Sequence, residues 1–253
     1  MAKLTFLGTG TSQGVPMIGC GCDVCRSRDS RDKRLRSSVL VEHEGRTFLV
    51  DAGPDFRQQM LRAGVSHVDA ILLTHNHKDH TGGLDDIRAF NYLENKASQI
   101  YCEKYVEDAL RMEYSYAFAE KKYPGAPEWD VHIIDEKPFS INGVEIIPIR
   151  GMHYKLPVLG YRFGNIAYCT DMNHIPEEEF AKLQGLDHFV INCVKYGKHI
   201  SHYSLEEAVA VAQRVGAKHS WLTHLSHRLP CYETLAAKLP AGILPAYDGM
   251  VLE

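Results

Sequence analysis

The sequence predicts an α/β protein built as a four-layer αββα sandwich: two β-sheets packed face to face, with helices outside. Three observations predict it. Apolar runs of strand length recur along all 253 residues, helical patterns fall between them, and no linker, repeat or low-complexity tract breaks the alternation. A chain of this length buries a substantial core without disulfide staples, and we expect one domain over 1–253. At 45% hydrophobic and 24% charged residues it reads as an ordinary soluble globular protein.

The elements follow in order. KLTFLGTG at 3–10 is a buried strand running into a Gly-rich turn, followed by a polar, cysteine-bearing loop to about residue 36. SSVLVEH and RTFLVDAG are two strands joined at Glu44-Gly45, a hairpin signal. DFRQQMLRA at 55–63 fits a short amphipathic helix stopped by Gly64, and DAILLTH at 69–75 is another buried strand. A helical pattern spans 103–123, ended by Pro124 and Pro127. Strands are expected at 144–153, 159–164 and 165–171, the last two turning at Gly164-Asn165. A helix over 176–184 and a strand over 187–193 come next. The helix at 204–217 is marked by Ser204 as N-cap, Glu207 completing a capping box, and Gly216 near its end. A strand at 219–224 and a helix at 232–239 close the pattern.

The net charge of −4 gives no electrostatic case for a nucleic-acid polymer as partner. MAKLTFLGTG lacks the apolar stretch of a signal peptide, and no apolar run reaches membrane-spanning length. A cytoplasmic location and no membrane partner are the expectation. Three of the seven cysteines sit together as Cys20-x-Cys22-x-x-Cys25, which in a reducing compartment suggests metal before disulfide.

The chemistry centres on T-H-N-H-K-D-H-T-G-G at 74–83. His75, His77, Asp79 and His80 are too dense for a helix to aim at one ion, but on a sharp turn after a strand they can converge on two. Gly82 and Gly83 would allow the tight backbone that leaves the turn. Imidazoles suit zinc, iron or manganese, and the carboxylate shifts the set toward oxygen-loving metals. Three further apolar runs lead into residues of the same type: EIIPIRGM into His153, NIAYCT into Asp171 and SWLT into His224. If these strands are neighbours, their ends meet at one edge, where α/β active sites form.

This pattern resembles the metallo-β-lactamase superfamily, whose signature is His-x-His-x-Asp-His followed by distant His, Asp and His. The resemblance implies His75, His77 and His153 on one metal, Asp79, His80 and His224 on a second, and Asp171 bridging. Gly14-Val15-Pro16, the cysteine loop, T-H-L-S-H at 223–227 and Tyr247-Asp248-Gly249 are similar to the PhnP-like phosphodiesterases. That likeness implies a structural zinc on Cys20, Cys22, Cys25 and His227, a closed tetrahedral set in a loop near 19–26. It also implies His202 as general acid, with His199 as the competing candidate, and allows a homodimer. Cys102, Cys169 and Cys193 fall in strand contexts and are expected in the core; Cys231 has no assignment.

Two divalent cations, zinc or manganese with iron as an option, would lower the pKa of a bridging water and neutralise phosphoryl charge during in-line attack. Asp79 could orient the resulting metal-bound hydroxide. The expected activity is hydrolysis of small phosphodiesters, cyclic ribose phosphates among them. A glyoxalase-type thioester hydrolase fits D-H-T-G-G, though the cysteine loop speaks against it. A tRNA-processing ribonuclease shares the chemistry, but no tRNA-gripping insertion is visible. A di-iron oxidoreductase would carry Glu at His77 and need a flavin partner. Asp51 either orients a ligand histidine or is a turn residue ahead of Gly53. Lys195 and Lys198 either meet a phosphate or face solvent. The aromatics of 103–130 either wall a ribose or base or pack their own helix, the second being the commoner outcome.

Overall fold

The computed structural model describes residues 1–253. Its strands are, in chain order, β1 (Lys3–Gly8), β2 (Ser38–His43), β3 (Arg46–Val50), β4 (Ala70–Leu72), β5 (Ser98–Cys102), β6 (Trp129–Ile133), β7 (Phe139–Ile141), β8 (Val144–His153), β9 (Leu156–Phe163), β10 (Ile166–Cys169), β11 (His188–Asn192), β12 (His219–Thr223), β13 (Ile243–Pro245) and β14 (Val251–Leu252). They form two seven-stranded sheets, ordered β14-β1-β2-β3-β4-β5-β6 and β13-β12-β11-β10-β9-β8-β7. The helices are α1 (Asp23–Arg26), α2 (Phe56–Ala63), α3 (Lys78–Thr81), α4 (Arg88–Glu94), α5 (Lys104–Glu113), α6 (Leu205–Val215) and α7 (Tyr232–Ala236).

Period-two alternation divides the buried side chains into three layers. Phe48, Val50, Ala70 and Leu72 point into the space between the sheets, where they meet Tyr161, Phe163, Tyr168 and Val190. Leu49 and Ile71 point the other way, against α2, α4 and α5 through Phe56, Met60, Phe90 and Val106. On the second sheet Cys169, Phe189 and Ile191 face outward under α6 through Ala208 and Ala212. The continuous apolar runs in the sequence therefore mark strands buried on both faces, as the four-layer architecture requires.

Turns and caps follow their residues. His43 pairs with Arg46 across Glu44 and Gly45, both at positive φ, the requirement of a tight I′-type hairpin. Ile166 pairs with Phe163 across Gly164-Asn165. Ser204 and Glu207 form the full capping box of α6, which ends at Gly216 in the left-handed conformation. Two expected helices are different. The 103–123 pattern becomes α5 plus a 3-10 turn at Ser115–Ala117. Tyr114 ends the helix because it is buried, with its hydroxyl donating to the Thr81 carbonyl, and the chain must turn to keep it there. The 176–184 pattern is a 3-10 helix over Glu177–Leu183, with Phe180 and Leu183 buried at the three-residue spacing that this tighter helix aligns.

Candidate metal centre

The residues of the His75 motif stand at the exits of strands from both sheets. His75 and His77 follow β4, His153 is the last residue of β8, Asp171 lies just beyond β10, and His224 directly follows β12. β10, β11 and β12 run parallel, and β8 runs the same way because β9 reverses between them, so the exits gather on one edge. The dense motif is resolved by a one-turn helix rather than by a bare turn. His77 precedes α3, while Asp79 and His80 lie within it, so the backbone rotates the second pair of side chains away from the first.

The donor atoms form two adjacent groups. His75, His77 and His153 make one, and Asp79, His80, Asp171 and His224 make the other. Asp171 lies between them: its Oδ2 is 3.4 Å from His80 Nε2 and 4.0 Å from His75 Nε2, and its Oδ1 is 3.0 Å from His224 Nδ1. Asp79 Oδ2 is 3.3 Å from His80 Nε2. Nε2 of His75 and Nε2 of His80 are buried with no hydrogen-bond partner. An orphaned buried nitrogen costs free energy unless something ligates it, so the donor set fits divalent cations.

Charge in this pocket is strongly redistributed. Burial alone lowers His80, but Asp171, Asp79 and Asp51 outweigh it and hold the imidazole well above its usual range. Burial pushes Asp171 up, yet His224 and His80 bring it well below the ordinary carboxylate range. His75 and His224 are pushed down mainly by burial, which leaves neutral rings of the kind that ligate metals.

The supporting contacts are specific. Asp51, just after β3, accepts from His80 Nδ1 at 2.6 Å and from the Thr74 backbone N–H and hydroxyl, each at 2.9 Å. It is therefore the residue that aims His80, and the simple turn reading of Asp51 is too weak. Ser201 supplies a carbonyl 2.8 Å from His153 Nδ1, and the Ser37 hydroxyl lies 3.1 Å from His224 Nδ1. Neither serine was marked by the sequence, because each reaches the site through a long-range contact from a loop. Asp51, Asp171 and His224 all have positive φ (63°, 57° and 54°), a left-handed backbone that non-glycine residues adopt at a cost.

Gly82 and Gly83 have negative φ, so the motif does not need them for a left-handed turn. It needs them for close approach: a Cβ on Gly83 would lie 2.1 Å from the Gly53 carbonyl oxygen, and one on Gly82 2.6 Å from that of Lys78.

His202 lies in the loop before α6 and joins His153 and Asp171 in a third overlapping group. Its ring stacks on His224 at 4.9 Å between centroids and meets His153 edge-on at 4.5 Å. His199 sits further out, 5.1 Å from the His202 ring and outside that group. Lys195 lines a polar pocket with both histidines, whereas Lys198 is exposed and does not. Tyr114 and Phe118 each pack edge-to-face on Trp129, so these three aromatics of the 103–130 stretch serve the helix layer.

A second donor cluster lies alongside. Cys20, Cys22, Cys25 and His227 bring three thiols and one imidazole together, with His227 Nδ1 3.3 Å from Cys20 Sγ and 3.5 Å from Cys22 Sγ. The Cys25 backbone N–H, then His227, lower the Cys22 thiol to about 6, while burial raises Cys25 to about 11. Cys102, Cys169 and Cys193 are fully buried core residues, and Cys231 packs against the cysteine loop. Asp248 of the Tyr-Asp-Gly motif accepts from the Thr9 hydroxyl and the Leu35 N–H, tying both ends of the cysteine-bearing loop to the C-terminal strand region.

Comparison with known proteins agrees with this geometry. The model of the β-lactamase superfamily domain matches residues 46–225. A protein of Porphyromonas gingivalis named octanoyltransferase is 42% identical over 251 residues, 98% of this chain but 51% of that protein, so the chain spans about half of that relative. The crystal structure of a diphosphatase from the PhnP family shares 40% identity, covers 100% of this chain and 98% of its own, and superposes with a TM-score of 0.93. Zinc-bound PqqB from Methylobacterium extorquens covers 99% of both chains at 19% identity and TM-score 0.79, a likeness of fold. The chain belongs to the metallo-β-lactamase superfamily and, within it, to the PhnP family.

Proposed function

We propose that this metal-dependent hydrolase cleaves small disubstituted phosphates, phosphodiesters first among them, at a two-cation centre. The observation that carries the reading is the juxtaposition of a three-histidine group and a His-Asp-Asp-His group, with Asp171 between them and an uncommitted histidine, His202, at their rim. Zinc, manganese or iron suits the donors.

His75, His77 and His153 would hold one cation, and Asp79, His80 and His224 the second, with Asp171 shared. Bound cations supply Lewis acidity toward phosphoryl oxygens and a water acidic enough to attack near neutral pH. The chain's own residues do the rest. Asp51 keeps the His80 ring aimed, Asp79 would accept a hydrogen bond from the attacking water, and His202 would serve the group that leaves. The Cys20, Cys22, Cys25 and His227 set would hold a structural zinc, fixing the loop that runs beside His224.

The diphosphatase at 40% identity supports phosphoryl chemistry and brings phosphoanhydrides into the range of substrates. The octanoyltransferase name belongs to a protein of twice this length, half of which lies outside the match, and it favours no acyl-transfer reading of these residues. The test is metal analysis of the purified protein together with assays on bis(p-nitrophenyl) phosphate, a dinucleoside diphosphate and a glutathione thioester. Diester or diphosphate turnover that is lost with chelator and restored by zinc or manganese is expected. Thioester turnover without either phosphoryl activity would reject the proposal.

A further inference from the structure

The donor groups open to the surface on two sides whose chemistry is opposite. On the His224 side is a polar pocket of about 230 Å³, lined by His202, His199, Lys195, Arg228, Ser12 and Gln13 among others, with no carboxylate. On the side of His77 and His153 is a wider cavity of about 510 Å³ whose remaining wall is Tyr154, Lys155, Leu156, Ile200 and Ser201. Tyr154 is 51% exposed and Ile200 67%, so two large apolar side chains stand in water beside the reacting centre.

Tyr154 is held there against its backbone preference. His153 pairs with Leu156, which makes Tyr154 and Lys155 the two tip residues of the β8–β9 hairpin. Tyr154 takes φ +58°, a conformation that such tips normally assign to Gly, Asn or Asp. Its N–H donates to Asn173 Oδ1 at 2.9 Å, which fixes the tip over the cavity. A bulky aromatic in a glycine-type position, exposed and braced, is a side chain the hairpin keeps for contact rather than for folding.

We infer that the His77–His153 cavity receives the substituent that stays on phosphorus, that this substituent is a planar aromatic ring such as a nucleobase or aryl group, and that Tyr154 selects it. The inference rests on the phosphodiesterase reading above. The leaving oxygen must lie within reach of His202, which lines the polar pocket; the departing group therefore exits there, and the retained group is left the apolar side. A phenol ring, two branched aliphatic side chains and one ammonium suit a flat apolar ring joined to an anion.

The test uses the full chain loaded with manganese and two diesters that share p-nitrophenolate as leaving group: bis(p-nitrophenyl) phosphate, which retains an aryl group, and methyl p-nitrophenyl phosphate, which does not. Tyr154→Ala should reduce the ratio of their kcat/KM values about tenfold, mainly through KM on the aryl substrate, and Tyr154→Phe should keep the wild-type ratio. Ile200→Ser, at a more exposed position, should move the ratio in the same direction. Turnover of both diesters with a ratio unmoved in Tyr154→Ala and Ile200→Ser overturns the subsite alone. Failure of the wild type to hydrolyse either diester overturns the phosphodiesterase reading and the subsite with it.

Discussion

His202 touches the rings of His153, His199 and His224 and lies 4.0 Å from Asp171, yet it belongs to neither main donor group. Burial pushes its imidazole down to about 3, with Asp171 pulling the other way. Near neutral pH the metal-free site thus holds it as a neutral ring, which can donate a hydrogen bond to a leaving oxygen from its one N–H; to hand that oxygen a proton the ring must first take up a second one, for which the attacking water is the source. His202→Ala should retain both active-site cations by metal analysis. It should lose about a hundredfold in kcat on an alkyl phosphodiester, and at most about tenfold on a p-nitrophenyl diester, whose leaving group needs no proton. Equal losses on the two substrates would remove His202 from leaving-group chemistry.

The decisive contact between elements is the seating of the residues after β3 against α3. The Ala52 N–H donates to the His80 carbonyl and the Gly83 N–H to the Ala52 carbonyl, each at 2.8 Å, with Gly53 and Gly83 in backbone contact. This brings Asp51 under His80. Gly83→Ala should destabilise the protein by about 1–3 kcal/mol through overpacking and weaken cation retention, measured by thermal melts and by metal content after dialysis. Gly83→Ala with wild-type melting and metal content would show that the seat tolerates a side chain. Such contacts leave no signature along the chain. His75, His77, Asp79, His80, His153, Asp171 and His224 were legible because each ends an apolar run or shares one short motif. Ser37 and Ser201 were not, since their partners lie far along the chain and a lone serine carries no pattern. β5, β6, β7, β13 and β14 carry no long apolar run: they are two to five residues each, and most lie toward the sheet edges. The 103–123 helix was overextended because its aromatic spacing suits a helix until Tyr114 is buried.

At the scale of the whole molecule, the buried imidazoles tie stability to acidity. Burial lowers His75, His153, His202 and His224, while His80 is raised. For the four lowered groups the unfolded chain takes up protons first, near its ordinary histidine value of about 6.5, so their contribution is full above that pH and is lost as the pH falls through the window below it. His80 runs the opposite way, contributing below about 6.5, and is outnumbered. The metal-stripped protein should therefore melt at a lower temperature at pH 5 than at pH 7.5; an unchanged or higher melting temperature at pH 5 would contradict this balance. The left-handed backbone at Asp51, Asp171 and His224 has a longer-term consequence. Glycine would relax the chain at all three positions and would remove a buried carboxylate or imidazole at each. Selection for robustness alone would thus erode the centre, because only the chemistry of these side chains offsets the backbone cost at the strand exits.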